Sequence, residues 1–210
     1  MTDFSIIKKL FHITVSCGFT NEEIQKAGDI FGSLPEVFTD YYSELGKIQN
    51  LNHTQDSLVI PERFQYYQNN DYLIFYTENQ DACVWGIYKN DLSSPNPPVY
   101  MSYDQKEWNL ETETLTDFFT AMAFLQAGFA LEFTCDTFYE IEPHELDFIT
   151  QNYSDKGVAL KQWLEGINFY GNYEDDVIVV MGGNQIFYSA NTENHFLEMD
   201  KILSKLGAEL

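Results

Sequence analysis

The chain has 210 residues, with 11 Lys and Arg against 33 Asp and Glu and a formal net charge of −22. Such a surplus of acid leaves few groups to neutralise phosphate, so neither nucleic acid nor an anionic membrane surface is expected as a partner. Hydrophobic residues make up 44% and aromatics 16%, enough for a core, which excludes an acidic disordered segment.

The elements follow from local patterns. Phe4, Ile7, Leu10 and Phe11 lie at helical spacing over Asp3–Val15. Thr20-Asn21-Glu22-Glu23 is a capping box, followed by the stripe Ile24, Ala27, Ile30, Phe31 and a closing Gly32. Ser33-Leu34-Pro35-Glu36 predicts a second box with proline in the first turn, then Phe38, Tyr41, Tyr42 and Leu45 before Gly46. The period then changes to two. Asp71–Thr77 and Ala82–Tyr88 are rich in strand formers and flank the turn 78–81, which predicts a hairpin. Ser93–Pro98 is a loop, and Val99–Tyr103 a short strand. Thr114 opens a helix with the stripe Leu115, Phe118, Phe119, Met122, Leu125 and Phe129. Further on, the pattern predicts a strand at Leu131–Thr134, a helix from Pro143 to Gln151 and another over Val158–Leu164. Val177–Met181 and Gln185–Ser189 form a second hairpin through Gly182-Gly183-Asn184, and Glu193–Leu206 closes as a helix. Paired hairpins with helices at the N-terminus, middle and C-terminus predict an α+β fold with a mainly antiparallel sheet.

Chemical motifs are sparse. There is no G-x-x-x-x-G-K, no G-x-G-x-x-G and no H-E-x-x-H, so no cofactor is expected. His12, His53, His144 and His195 share no metal-ligand spacing with Cys17, Cys83 and Cys135. Those cysteines are odd in number and far apart, as expected of reduced, buried thiols. Cys17 in Ser16-Cys17-Gly18 is expected to pack at a helix terminus. Glu174-Asp175-Asp176 lacks the alternating ligands of a calcium loop and is expected to be a solvated loop. The N-terminus has no cleavage pattern and no apolar run approaches 18 residues, so a cytoplasmic location is expected.

One segment carries more. Tyr72–Thr77, then Glu78-Asn79-Gln80, then Trp85-Gly86-Ile87, then Asn96-Pro97-Pro98-Val99-Tyr100 resembles the signature of bacterial proteins of the SUKH superfamily, relatives of the fungal Smi/Knr cell-wall-assembly regulators. Asn96 stands where Asp is commoner in that family. Upstream, Leu34-Pro35 and Phe38-Thr39-Asp40-Tyr41-Tyr42 are similar to the family's opening. Downstream, Leu115-Thr116-Asp117-Phe118-Phe119 is similar to its S-L-S-D-F-L helix start. The resemblance covers roughly residues 20–130, and the chain is read as one domain over 1–210, with 131–210 as its C-terminal elaboration. It implies an α+β fold with a curved sheet and no catalysis. It also implies an immunity protein that binds and neutralises a cognate polymorphic or contact-dependent toxin domain, often a nuclease or deaminase. The alternative is a regulatory protein-binding scaffold like the fungal relatives.

Two sets of residues are candidates for partner contact. Glu78, Asn79 and Gln80 either satisfy the backbone of their turn or display a loop to a partner. Trp85 is either core or an interface anchor. The second set lies in the acidic stretch 107–155, where 11 acids occur without a Lys or Arg. It reads as a solvated face or as a patch steering a basic toxin domain, with Glu140, Glu142 and Glu145 as the residues to reverse.

Overall fold

Short-range signals set most of the helices. The computed structural model describes residues 2–67 and 69–210. Helix α1 (Ser5–Leu10) is shorter than its apolar spacing predicts, because His12 adopts a positive φ of 51° and turns the chain away. Helix α2 (Asn21–Phe31) begins with the expected box: the Thr20 hydroxyl accepts the Glu23 N–H at 3.2 Å, and the Glu23 carboxylate accepts the Thr20 N–H at 2.7 Å. Helix α3 (Glu36–Leu45) corrects the expectation of a second box. Pro35 itself is the cap residue and has no side chain to offer the free amides. Helix α4 (Gln49–Asn52) follows.

Contacts gather the chain into two units. The first holds residues 2–4 and 15–119, and the second holds Ser5–Thr14 and Thr120–Leu210. In the first, strands β1 (Ser57–Leu58), β2 (Tyr72–Thr77), β3 (Val84–Tyr88), β4 (Val99–Ser102) and β5 (Asn109–Thr112) form an antiparallel sheet in chain order. Its core is aromatic. Tyr41 stacks on Phe119 at 3.7 Å, Phe38 stacks on Tyr42 at 4.2 Å, and Phe75 meets Phe118 edge-on at 5.2 Å. Each buried hydroxyl has a partner, as burial requires: Tyr41 donates to Asn52 Oδ1 and Tyr42 to the Val59 carbonyl, both at 2.8 Å.

Helix α5 (Leu115–Ala130) starts where Thr114 Oγ1 accepts the Asp117 N–H, and its residues from Thr120 onward belong to the second unit. That unit continues with β6 (Phe133–Thr134), β7 (Tyr139–Glu140), α6 (Pro143–Asn152), β8 (Ser154–Leu160), β9 (Ile167–Gly171), β10 (Asp176–Met181), β11 (Gln185–Ala190), α7 (Glu193–Leu203) and β12 (Ala208–Glu209). The antiparallel order is β12-β7-β11-β10-β9-β8, with β6 also on β11. Strand β10 is buried along its whole length because both faces of the sheet are covered. Ile178 and Val180 join Ile149, Met199 and Leu203 of α6 and α7. On the α5 side, Phe124 lies 5.6 Å from Phe169, and Phe129 lies 4.5 Å from Phe187. Gly128 permits that approach, since a Cβ there would come within 2.2 Å of the Phe187 ring. The helix expected over Val158–Leu164 is instead strand β8 and a turn. Ala159 and Leu160 pair with Asn168 and Ile167 of β9, and the sheet overrides the helical spacing. Every strand pairing is antiparallel, so the fold is α+β with two antiparallel sheets.

Candidate functional site

The turn between β2 and β3 is built on buried carboxylates. Glu78 is only 5% exposed. Its Oε2 accepts the N–H groups of Gln80 at 2.7 Å and Ala82 at 3.0 Å, and its carbonyl accepts the Asp81 N–H at 3.1 Å. Asp56, fully buried, lies close enough for the Asn79 N–H to act on its carboxyl. The backbone is therefore held from beneath while the side chains of Asn79 and Gln80 stand in solvent. Burial, together with the negative charge of Glu78, pushes the Asp56 carboxyl up to about 7, and the Asn79 N–H offsets part of this. The neighbouring Cys83 is buried, and burial beside these acids drives its thiol far above the ordinary range, so it is inert as a nucleophile.

The rest of the signature is structural. Trp85 has no exposed surface. It packs against Tyr76 and Phe118, which fits the core alternative and leaves it nothing to offer a partner. At Gly86 a Cβ would press to 3.0 Å on the ring of Trp108, which stacks at 4.0 Å on Tyr72. The Gly of W-G-I thus makes room for a second indole. Tyr66 is 74% exposed, whereas Tyr72 is occupied in packing.

The acidic stretch 107–155 is not solvated throughout. It is divided between the two units, and Glu111 within it is fully buried. In the second unit Glu140 is exposed on β7. Glu142 and Glu145 form a capping box at the start of α6: Glu142 accepts the Glu145 N–H, and Glu145 accepts the Glu142 N–H at 2.8 Å. Glu145 also accepts the Gly207 N–H at 2.9 Å. These amides, that of Glu142 first, hold its carboxyl below the usual range. Two of the three acids singled out for a partner therefore support their own helix.

Two further expectations are corrected. Cys17 is exposed and lies outside any helix. Pairing of the loop acids is the second. Only Glu174 of Glu174-Asp175-Asp176 is solvated. Asp176, with no exposed side-chain surface, accepts from the N–H groups of Asn172 and Tyr173, each at 3.1 Å, and from Lys156 Nζ at 2.9 Å. Asp175 accepts from the Thr192 hydroxyl and pairs with His195 Nδ1 at 2.6 Å, while His12 Nε2 lies 3.9 Å from its other oxygen. Burial works against ionisation of Asp175, but the hydrogen bonds from Thr192 and His195 outweigh it and hold the carboxyl below its ordinary value. Beyond these corrections, His12 and His195 meet at this one carboxylate. No local signal marks this, because their partners come from distant elements.

Among the described residues, no group of three or more His, Cys, Asp or Glu is arranged to hold a metal ion, and no helix is long and apolar enough to cross a membrane. In comparisons with known proteins, no family model, no curated protein and no solved structure matches the chain.

Proposed function

We propose that the chain is a non-catalytic immunity protein that binds and neutralises a cognate polymorphic or contact-dependent toxin domain, a basic nuclease being the best electrostatic fit. The observation that carries the reading is the Glu78-Asn79-Gln80 turn. The backbone amides of Gln80, Asp81 and Ala82 are satisfied internally by Glu78, so the Asn79 and Gln80 side chains, each both donor and acceptor, project from a preorganised base. A loop already ordered loses little freedom on binding. The SUKH-like residues around the turn each have a structural task within one α+β unit, which supports reading them together. The net charge of −22 suits a partner that must itself be basic to act on nucleic acid.

The test is to purify the chain with the toxin domain encoded beside its gene and to challenge toxin-expressing cells with and without it. The expected result is a stable complex and survival of the cells. The double variant Asn79→Ala, Gln80→Ala is expected to weaken the complex roughly tenfold or more while leaving thermal stability unchanged. If no complex forms and the cells are not protected, the reading is wrong.

A further inference from the structure

The second unit contains a cleft of about 970 Å³, the size of a small-molecule site, between α1, the start of β8, the β9–β10 turn and the first turn of α7. Three of the chain's eleven Lys and Arg residues and two of its four histidines line it. This sets three lysines beside three acids on a strongly acidic chain. The acids of the cleft already have partners. Asp155 Oδ1 accepts the Gly157 N–H at 2.6 Å, and Asp175 is held by Thr192 and His195. Glu174 pairs with Lys9 at 2.6 Å, but both side chains are largely exposed, and such a pair is exchanged at little cost.

The floor is built. Lys156, 11% exposed, is locked between the Asp176 carboxylate at 2.9 Å and the Tyr173 carbonyl at 2.6 Å, and lies 5.7 Å from the centre of the Phe124 ring. Gly171 leaves the space for this lock, since a Cβ there would come within 2.2 Å of Asp176 Oδ1 and 2.7 Å of Lys156 Nζ. His195 stacks face to face on Tyr173 at 3.7 Å, with Nδ1 committed to Asp175, so its orientation is set and Nε2 is its remaining polar atom. Apolar surface completes the wall, with Phe124 below and Ile6 53% exposed at the rim.

We propose that this cleft binds a small organic anion, one that joins a phosphate or carboxylate to an apolar body. The anionic end meets His195, His12 and the Lys9 ammonium released from Glu174. The body lies along Ile6 and the Tyr173 ring. The proposal does not rest on toxin binding, and either can fail alone.

The experiment titrates the whole isotope-labelled protein with phenyl phosphate and benzoate, followed by amide NMR, with inorganic phosphate and phenol as the separated halves. At least one of the two whole probes is expected to shift the amides of Asn172, Tyr173 and Glu174 and the first turn of α7 saturably. Each half is expected to bind at least roughly tenfold more weakly. Lys9→Glu, an exposed change that spares the fold, and His195→Gln, which keeps a donor to Asp175, are each expected to weaken binding about tenfold, while Lys201→Gln leaves it unchanged. The proposal is overturned if neither whole probe gives saturable shifts, if shifts persist unaltered in the Lys9 variant, or if either half binds as tightly as the whole.

Discussion

Asp56 couples the signature turn to pH through a single proton. A carboxyl that titrates near 3.8 when unfolded and about 7 when folded stays protonated in the native state over the interval between them. There the native state binds more protons than the unfolded state, so this group makes stability fall as pH rises from about 4 to about 7, by of the order of 4 kcal/mol. Asp56→Asn keeps a carbonyl oxygen near the Asn79 N–H and has no charge to repel Glu78. The variant is therefore expected to match the parent in urea denaturation near pH 4 and to exceed it at pH 8. A constant difference across that range would disprove the assignment. At the same scale, Gly171→Ala forces a methyl into the Asp176–Lys156 pair and is expected to cost about 3 kcal/mol, read as a lower urea midpoint. Neither residue was legible as functional. Asp56 acts on a turn far along the chain, and an acid's type does not reveal whether it faces water or a buried amide.

Elements were legible where their determinants are local. The Thr20–Glu23 box, the two hairpins and the start of α5 depend on residues within a few positions of one another, and the structure has them. Strands β8 and β9 were not legible. Val158-Ala159-Leu160 suits either period, and the choice is made by the partner strand. The three glutamates of the acidic stretch illustrate the limit in another way. Glu145→Lys removes a cap and the link to Gly207 and is expected to destabilise the fold by about 1 kcal/mol, lowering the melting temperature. Reversal at Glu145 would therefore confound a charge test with a folding defect. Asp136, Glu140 and Asp147 are exposed and make no such cap.

For the whole molecule, the proposed immunity role turns on the rate of meeting a basic partner. The triple variant Asp136→Lys, Glu140→Lys, Asp147→Lys is expected to slow association with the cognate toxin domain roughly tenfold at low salt and to flatten its salt dependence, measured by stopped-flow. An unchanged rate would make this surface a matter of solubility alone. The sequence supplied the sign and size of the charge, but not its division between two units, because that division follows the contacts and not the order of residues. The same division has a consequence for dissection. Residues Ser5–Thr14 belong with Thr120–Leu210, although 105 residues of the other unit separate them. Ile7 and Leu10 are buried, and the Leu10 carbonyl accepts from Asn191. A cut between Phe119 and Thr120 yields a C-terminal fragment whose missing piece is a peptide from the opposite end of the chain.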